Sequence, residues 1–183
     1  MCIIRGEPFQ TLSGSPEATK AIGHSLGGLL RCGDVVYIYG EIGAGKTVFV
    51  SGIASALGIG EYITSPTFTI ANFYLGAKPF HHFDAYRIES PEELFETGFF
   101  EFAGGDCVVA VEWAERLAPF KPGGCVEVWI EDAGGCDTKA CDTGGCDTKG
   151  CDAEVCDTKG CDAVACDTGG FCTGRIVKIA FNE

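Results

Sequence analysis

Apolar residues recur at helical spacing over residues 15–31, where Ala18, Ile22, Leu26, Leu29 and Leu30 share one stripe. Ser15 is placed to cap that helix, and Pro16 suits its first turn. The pattern then changes. Val35–Tyr39 (VVYIY) is an unbroken apolar run, the mark of a strand buried on both faces. A glycine-rich turn leads into a second helix over residues 46–57, stopped near Gly58. β-Branched and aromatic content predicts three extended stretches next: around Tyr62 and Ile63, over residues 68–74, and over residues 79–86. Ser90 and Glu93 have capping-box spacing, which predicts a short helix through Phe95. Residues 108–111 (VVAV) form another buried strand, closed by Glu112 and Trp113. Residues 126–130 and 175–181 alternate apolar and polar side chains, which predicts two antiparallel strands with one exposed face each.

A repeat separates those last two strands. Cys-Asp recurs every five residues from Cys136 to Cys166, and a step of six reaches Cys172. Five residues of α-helix turn through about 500°, so no cysteine stripe forms on a helix. On a strand, an odd spacing sends successive cysteines to opposite faces. Composition reads this 136–172 segment as a low-complexity insert within a C-terminal hairpin, because it has few large apolar residues to offset its ordering entropy. Two other readings stand beside it: soft-metal capture by thiolates and carboxylates, and a β-helix of five-residue period with Thr or Ala where a core residue belongs.

The 12 cysteines suggest a disulfide scaffold until their placement is considered. Outside the repeat only Cys2, Cys32, Cys107 and Cys125 remain, in a chain with hydrophobic patterning of its own. No run approaches the roughly 18–20 apolar residues of a membrane-spanning helix. The first residues lack the basic start and apolar stretch of an export signal. The expectation is one cytoplasmic domain over residues 1–183, away from any membrane. Its net charge of −13 repels phosphate backbones and argues against autonomous nucleic-acid binding.

The chemistry concentrates after the first strand. Gly40, Glu41, Ile42, Gly43, Ala44, Gly45, Lys46 and Thr47 match G-x-x-x-x-G-K-[ST], between an apolar strand and a helix start, where that motif belongs. Glycines let the backbone curl so that several N–H groups converge on one anion, and the helix N-terminus adds positive partial charge. Lys46 is then expected on the β- and γ-phosphates, and the Thr47 hydroxyl on Mg2+. Such a site needs an acid at a strand end. Asp84 and Glu112 both follow apolar runs and are expected to face the nucleotide. His81 and His82 are adjacent on a strand, so they face opposite ways and do not form a two-histidine metal site. Trp113 is read as a packing residue.

These blocks occur in a fixed order: Gly40 to Thr47; Ser65, Pro66 and Thr67 followed by Phe68; His82-Phe-Asp84-Ala-Tyr-Arg87; Pro91-Glu-Glu-Leu94 with Gly98; and Val111-Glu-Trp113. Together they resemble the TsaE family of ATPases in bacterial tRNA threonylcarbamoyladenosine (t6A) biosynthesis, over nearly all of the chain except the repeat. The resemblance implies an α/β, P-loop NTPase-like three-layer fold, with a mainly parallel sheet and antiparallel edge strands. It implies ATP and Mg2+ as cofactors, with Thr47 and Glu112 as metal ligands and Asp84 as the hydrolysis residue. Ser65, Pro66 and Thr67 become a switch-like loop near the γ-phosphate, and Gly174 and Arg175 become candidates for the adenine side. It also implies slow ATP hydrolysis in isolation and action on a TsaB–TsaD complex, with tRNA engaged only indirectly, which agrees with the acidic charge. Two other functions fit a phosphate loop. One is a nucleotide-gated binding module with a metal-binding repeat. The other is a small-molecule kinase, for which the chain lacks an arginine-rich lid segment.

Overall fold

The computed structural model describes residues 3–120, 125–133 and 174–182. Within them lie seven strands: β1 (Phe9–Ser13), β2 (Val35–Tyr39), β3 (Ala71–Tyr74), β4 (Phe80–Asp84), β5 (Val108–Glu112), β6 (Cys125–Asp132) and β7 (Arg175–Asn182). They form one sheet in the order β1-β7-β6-β2-β5-β4-β3. The four central strands β6, β2, β5 and β4 are parallel to one another. β3 is added antiparallel at one edge, and β7 and β1 antiparallel at the other. This is the three-layer α/β, P-loop NTPase-like architecture expected, with a parallel centre and antiparallel margins.

Side-chain alternation builds the layers. Val36 and Ile38 of β2 enter a core beneath α1 (Pro16–Gly27) and α2 (Lys46–Ala56), with Leu26, Phe49, Val50 and Ile53. Val35 and Tyr37 face the opposite way, with Phe83, Val109, Val111 and Leu117, under α3 (Pro91–Glu96), α4 (Phe99–Phe102) and a 3-10 turn, Ala114–Phe120. A fully buried Val, Ile, Leu or Phe contributes about 1.5–3 kcal/mol, so each face is a substantial source of stability.

The caps read from sequence are formed. Ser15 Oγ accepts from the Ala18 amide at 3.2 Å, with Pro16 in the first turn of α1. Ser90 Oγ accepts from the Glu93 amide at 3.2 Å, while Glu93 Oε2 reaches back to the Glu89 amide at 2.9 Å. α1 ends at Gly27, before the predicted Arg31, because residues 28–34 turn to enter β2. Tyr62 and Ile63 lie in irregular chain, and β3 begins only at Ala71, because residues 67–69 form a turn that brings the loop back over the sheet end. β4 stops at Asp84, whose carboxylate caps a 3-10 turn over Ala85–Arg87. β1 had no sequence signal. Its few apolar residues suit an edge strand that gains its hydrogen bonds from β7. β6 and β7 pair directly, as a hairpin requires. The Cys-Asp repeat they flank lies outside the described residues.

α1 and α2 cross where glycines face backbone. A Cβ on Gly52 would collide with the Lys20 carbonyl, and one on Gly23 with the Phe49 carbonyl. The approach fixes α2, and with it the turn at its N-terminus. Gly52→Ala is therefore expected to cost about 1–3 kcal/mol by overpacking, measured by urea unfolding. Gly60→Ala, at a site with open space around it, should leave the midpoint nearly unchanged.

His81 lies on the α4 side of β4, stacked on Phe102 with ring centroids 3.9 Å apart. Burial lowers its pKa below the ordinary 6.5. The folded state thus prefers the neutral ring. Stability is unaffected by this group above pH 6.5 and falls as pH drops through 6.5, because the unfolded chain takes up the proton first. His81→Phe should flatten the stability profile below pH 6.5 relative to the parent protein, in denaturant melts across pH.

Candidate functional site

The carboxyl ends of β2, β4 and β5 meet at one rim of the sheet. The Gly40–Thr47 turn leaves β2 there and enters α2. Gly40 carries φ 144, and a Cβ on it would strike the Ile130 carbonyl of β6, so only glycine fits. Gly43 (φ 77) and Gly45 (φ 99) bend the turn through the left-handed region, with Gly45 capping α2. The Ala44 amide closes onto the Glu41 carbonyl at 3.1 Å, and Ala44 packs on the core below. Ile42 projects outward, 83% exposed. The first amides of α2 have no earlier helical turn to bond to, which leaves donors at this end of the helix.

Parallel pairing sets the acids. Asp84 of β4 stands opposite Glu112 of β5 in register. Phe80, His82 and Asp84 share one face of β4, and Val108, Ala110 and Glu112 the matching face of β5, which is the α2 side. Both acids and Lys46 therefore line a cleft of about 460 Å³, together with Thr47, Ser65, Thr67 and Trp113.

All three charged groups are buried, and each is compensated. Lys46 Nζ donates to the carbonyls of Gly40 at 2.7 Å and Glu41 at 2.9 Å, and sits 3.7 Å from the centroid of the Trp113 ring. Burial lowers the Lys46 pKa, while the carboxylates of Glu112, Glu115, Asp84 and Glu41 pull it back up. Glu112 Oε2 accepts from Thr47 Oγ1 at 3.0 Å, and its Oε1 lies 2.9 Å from His82 Nε2. Asp84 Oδ1 accepts from the Tyr86 amide at 2.9 Å, and Oδ2 accepts from both Ser65 Oγ and Thr67 Oγ1 at 2.6 Å. The loop that carries those hydroxyls is anchored further: the Ile70 amide donates to the Pro66 carbonyl at 2.6 Å, and the Asp84 amide to the Ile70 carbonyl at 2.9 Å.

Arg175, the first residue of β7, donates from Nη2 to the Gly43 carbonyl at 2.9 Å and braces the turn from beside it. The carbonyl of Gly174 accepts from the Ala133 amide at 2.9 Å and extends the hairpin ladder. Of the residues singled out from sequence, the Gly40–Thr47 turn, Ser65, Thr67, Asp84, Glu112 and Arg175 are thus brought together at this rim, while His81 packs on the α4 side and the Cys-Asp repeat lies outside the described residues. Two contacts were not foreseen. His82 joins Glu112, a pairing foreshadowed by its even-numbered spacing from Asp84. Trp113, adopting φ 58, places its ring under Lys46.

Thr47 and Glu112 offer hard oxygen donors of the kind Mg2+ takes. Among the described residues no group of three or more His, Cys, Asp or Glu is arranged to hold a metal ion. A cation beside Thr47 and Glu112 would draw its remaining ligands from phosphate and water, the usual manner of Mg2+ at a nucleotide. Among the described residues no helix is long and apolar enough to cross a membrane.

Comparison with known proteins shows what this chain is similar to. Residues 13–139 match the family model for threonylcarbamoyl adenosine biosynthesis protein TsaE. The tRNA threonylcarbamoyladenosine biosynthesis protein TsaE of Treponema pallidum is 44% identical over 114 residues, covering 62% of this chain and 84% of that protein. The protein of the same name from Bacillus subtilis is 40% identical over 121 residues, covering 66% of this chain and 75% of its own. The crystal structure of Bacillus subtilis YdiB superposes with a TM-score of 0.63 at 25% identity, over 95% of this chain and 86% of that one.

The Asp84 carboxylate holds the 65–70 loop through two hydroxyls. Asp84→Ala should release it. A charge-assisted bond is worth about 1.5–3 kcal/mol, so amide exchange at residues 67–70 should speed up about tenfold or more while the β2 and β5 amides stay protected. Hydrogen-exchange mass spectrometry reads this directly.

Proposed function

The chain belongs to the TsaE family of tRNA threonylcarbamoyladenosine biosynthesis proteins, and we propose that it serves there as the ATP-binding and ATP-hydrolysing component, acting on a TsaB–TsaD complex. The observation that carries this reading is the Thr47–Glu112 contact of 3.0 Å at the mouth of the glycine turn. It brings a hydroxyl and a carboxylate together where a triphosphate on the loop would present its β- and γ-oxygens.

In this reading the loop amides from Gly40 to Thr47 bind the phosphates, and Lys46 transfers its donors from the Gly40 and Glu41 carbonyls to phosphate oxygens. Thr47 and Glu112 hold Mg2+, which when bound neutralises charge developing on the transferred phosphoryl group. Asp84 positions the attacking water. To do so it exchanges one of its bonds to Ser65 or Thr67, so the Ser65-Pro66-Thr67 loop shifts as the site fills. Gly174 and Arg175 are proposed on the adenine side, because Arg175 already closes on Gly43. The chain's acidity suits docking on a protein complex, with tRNA contacted by the partners rather than by this chain. The cytoplasm is the setting such a role implies.

Lys46→Ala is expected to abolish nucleotide binding in calorimetry. Asp84→Ala is expected to keep binding within about threefold and to lower phosphate release by about a hundredfold or more, the scale of removing a positioned proton acceptor. Phosphate release measured with and without purified TsaB–TsaD tests enzyme and partner together. An Asp84→Ala protein with the parent's hydrolysis rate would refute the assigned role. Tight ATP binding with no turnover in the presence of TsaB–TsaD would favour the nucleotide-gated binding module instead.

A further inference from the structure

One buried polar side chain behind the cleft wall, against Glu112, lies outside the phosphate-loop motif and outside the pair of acids. His82 is 0% exposed. Its Nε2 lies 2.9 Å from Glu112 Oε1, and its Nδ1 is buried with no hydrogen-bond partner. An ionised carboxylate oxygen only accepts, so in this contact His82 Nε2 is the donor. The one side-chain hydrogen bond it makes among the described residues is therefore directed at Glu112. Packing does not explain the residue. The ring stacks beside Phe80, at 6.5 Å between centroids, where an apolar ring would leave no orphan nitrogen.

The carboxylate is divided between two partners. Oε1 receives His82, and Oε2 receives Thr47 Oγ1 at 3.0 Å. The terminal torsion of a glutamate is broad and roughly two-fold, so a single anchor leaves the two oxygens free to rotate. We infer that His82 is a positioning residue for the cation site: by engaging Oε1 it fixes the rotation of the Glu112 carboxylate and leaves Oε2, beside the Thr47 hydroxyl, as the oxygen presented to a divalent cation. The inference rests on the reading of Thr47 and Glu112 as the cation ligands. Removing such an outer partner of a ligand weakens metal affinity by about 10–100-fold in other sites.

The test uses the full chain and the ATP analogue AMPPNP, with Kd measured by calorimetry in Mg2+ and again in EDTA. The ratio of the two constants is the readout, which involves no turnover. In the parent protein Mg2+ tightens binding, and Glu112→Gln removes that tightening. His82→Phe is expected to reduce the tightening by about tenfold with the EDTA constant unchanged. His82→Gln, whose amide nitrogen reaches the place of Nε2, is expected to restore it to within about threefold. If His82→Phe does not fold, His82→Asn, too short to reach Oε1, takes its place with the same expectation. A His82→Phe protein that keeps the parent ratio, while Glu112→Gln loses it, overturns the inference alone. A loss of affinity equal in Mg2+ and EDTA, without rescue by His82→Gln, also overturns it. Equal ratios in the parent and Glu112→Gln proteins overturn the cation-site reading and the inference with it.

Discussion

Three ionisable groups, Lys46, Asp84 and Glu112, are almost completely withdrawn from water at one end of a parallel sheet. A buried charge without partners is prohibitively unfavourable, so the fold around it must supply them. It does so with different chemistry for each. The lysine takes two loop carbonyls and an aromatic face. One acid takes two hydroxyls and an amide. The other takes a hydroxyl and an imidazole. Much of what is distinctive in the rim, including the loop path over residues 65–70, follows from keeping these groups satisfied while they face a cleft.

Two residues bear backbone strain on behalf of that arrangement. Ile70 (φ 66) and Trp113 (φ 58) occupy the left-handed region without being glycine, which costs on the order of 1–3 kcal/mol each. Each adjoins one of the acids' supports. Ile70 ends the loop that reaches Asp84, and Trp113 follows Glu112 immediately and turns its ring to Lys46. Strain held at these two positions gives the site elements that relax when their contacts change, which suits a cleft whose proposed work requires Lys46 and the 65–67 hydroxyls to exchange partners.

The parts of this molecule that were legible in the sequence are those governed by short-range rules. Val35–Tyr39 reads as a central strand because both its faces are apolar, and Ser15 and Ser90 announce their helices through local capping bonds. The glycine turn is legible because its conformation demands glycine at fixed spacing. Asp84 and Glu112 were identified as strand-end acids, but their lateral register is a property of two strands 28 residues apart and appears only in the sheet. β1 was hidden for a similar reason, since its partner β7 lies far along the chain. His82 was set aside because its neighbour His81 made a paired metal site implausible. Its actual partner is on β5, and only strand parity hinted at that.

β7 has a role beyond closing the sheet. Among the described strands it is the only one that β1 pairs with, and its first residue, Arg175, clasps the glycine turn. Of all the described elements it is the last in the chain. A polypeptide emerging from the ribosome would hold every motif residue from Gly40 to Glu112 while β1 still lacked its neighbour and the glycine turn lacked its brace. Closure of the sheet and bracing of the turn thereby wait until β7 has been made, and long-range closure of this kind is slow in sheet assembly.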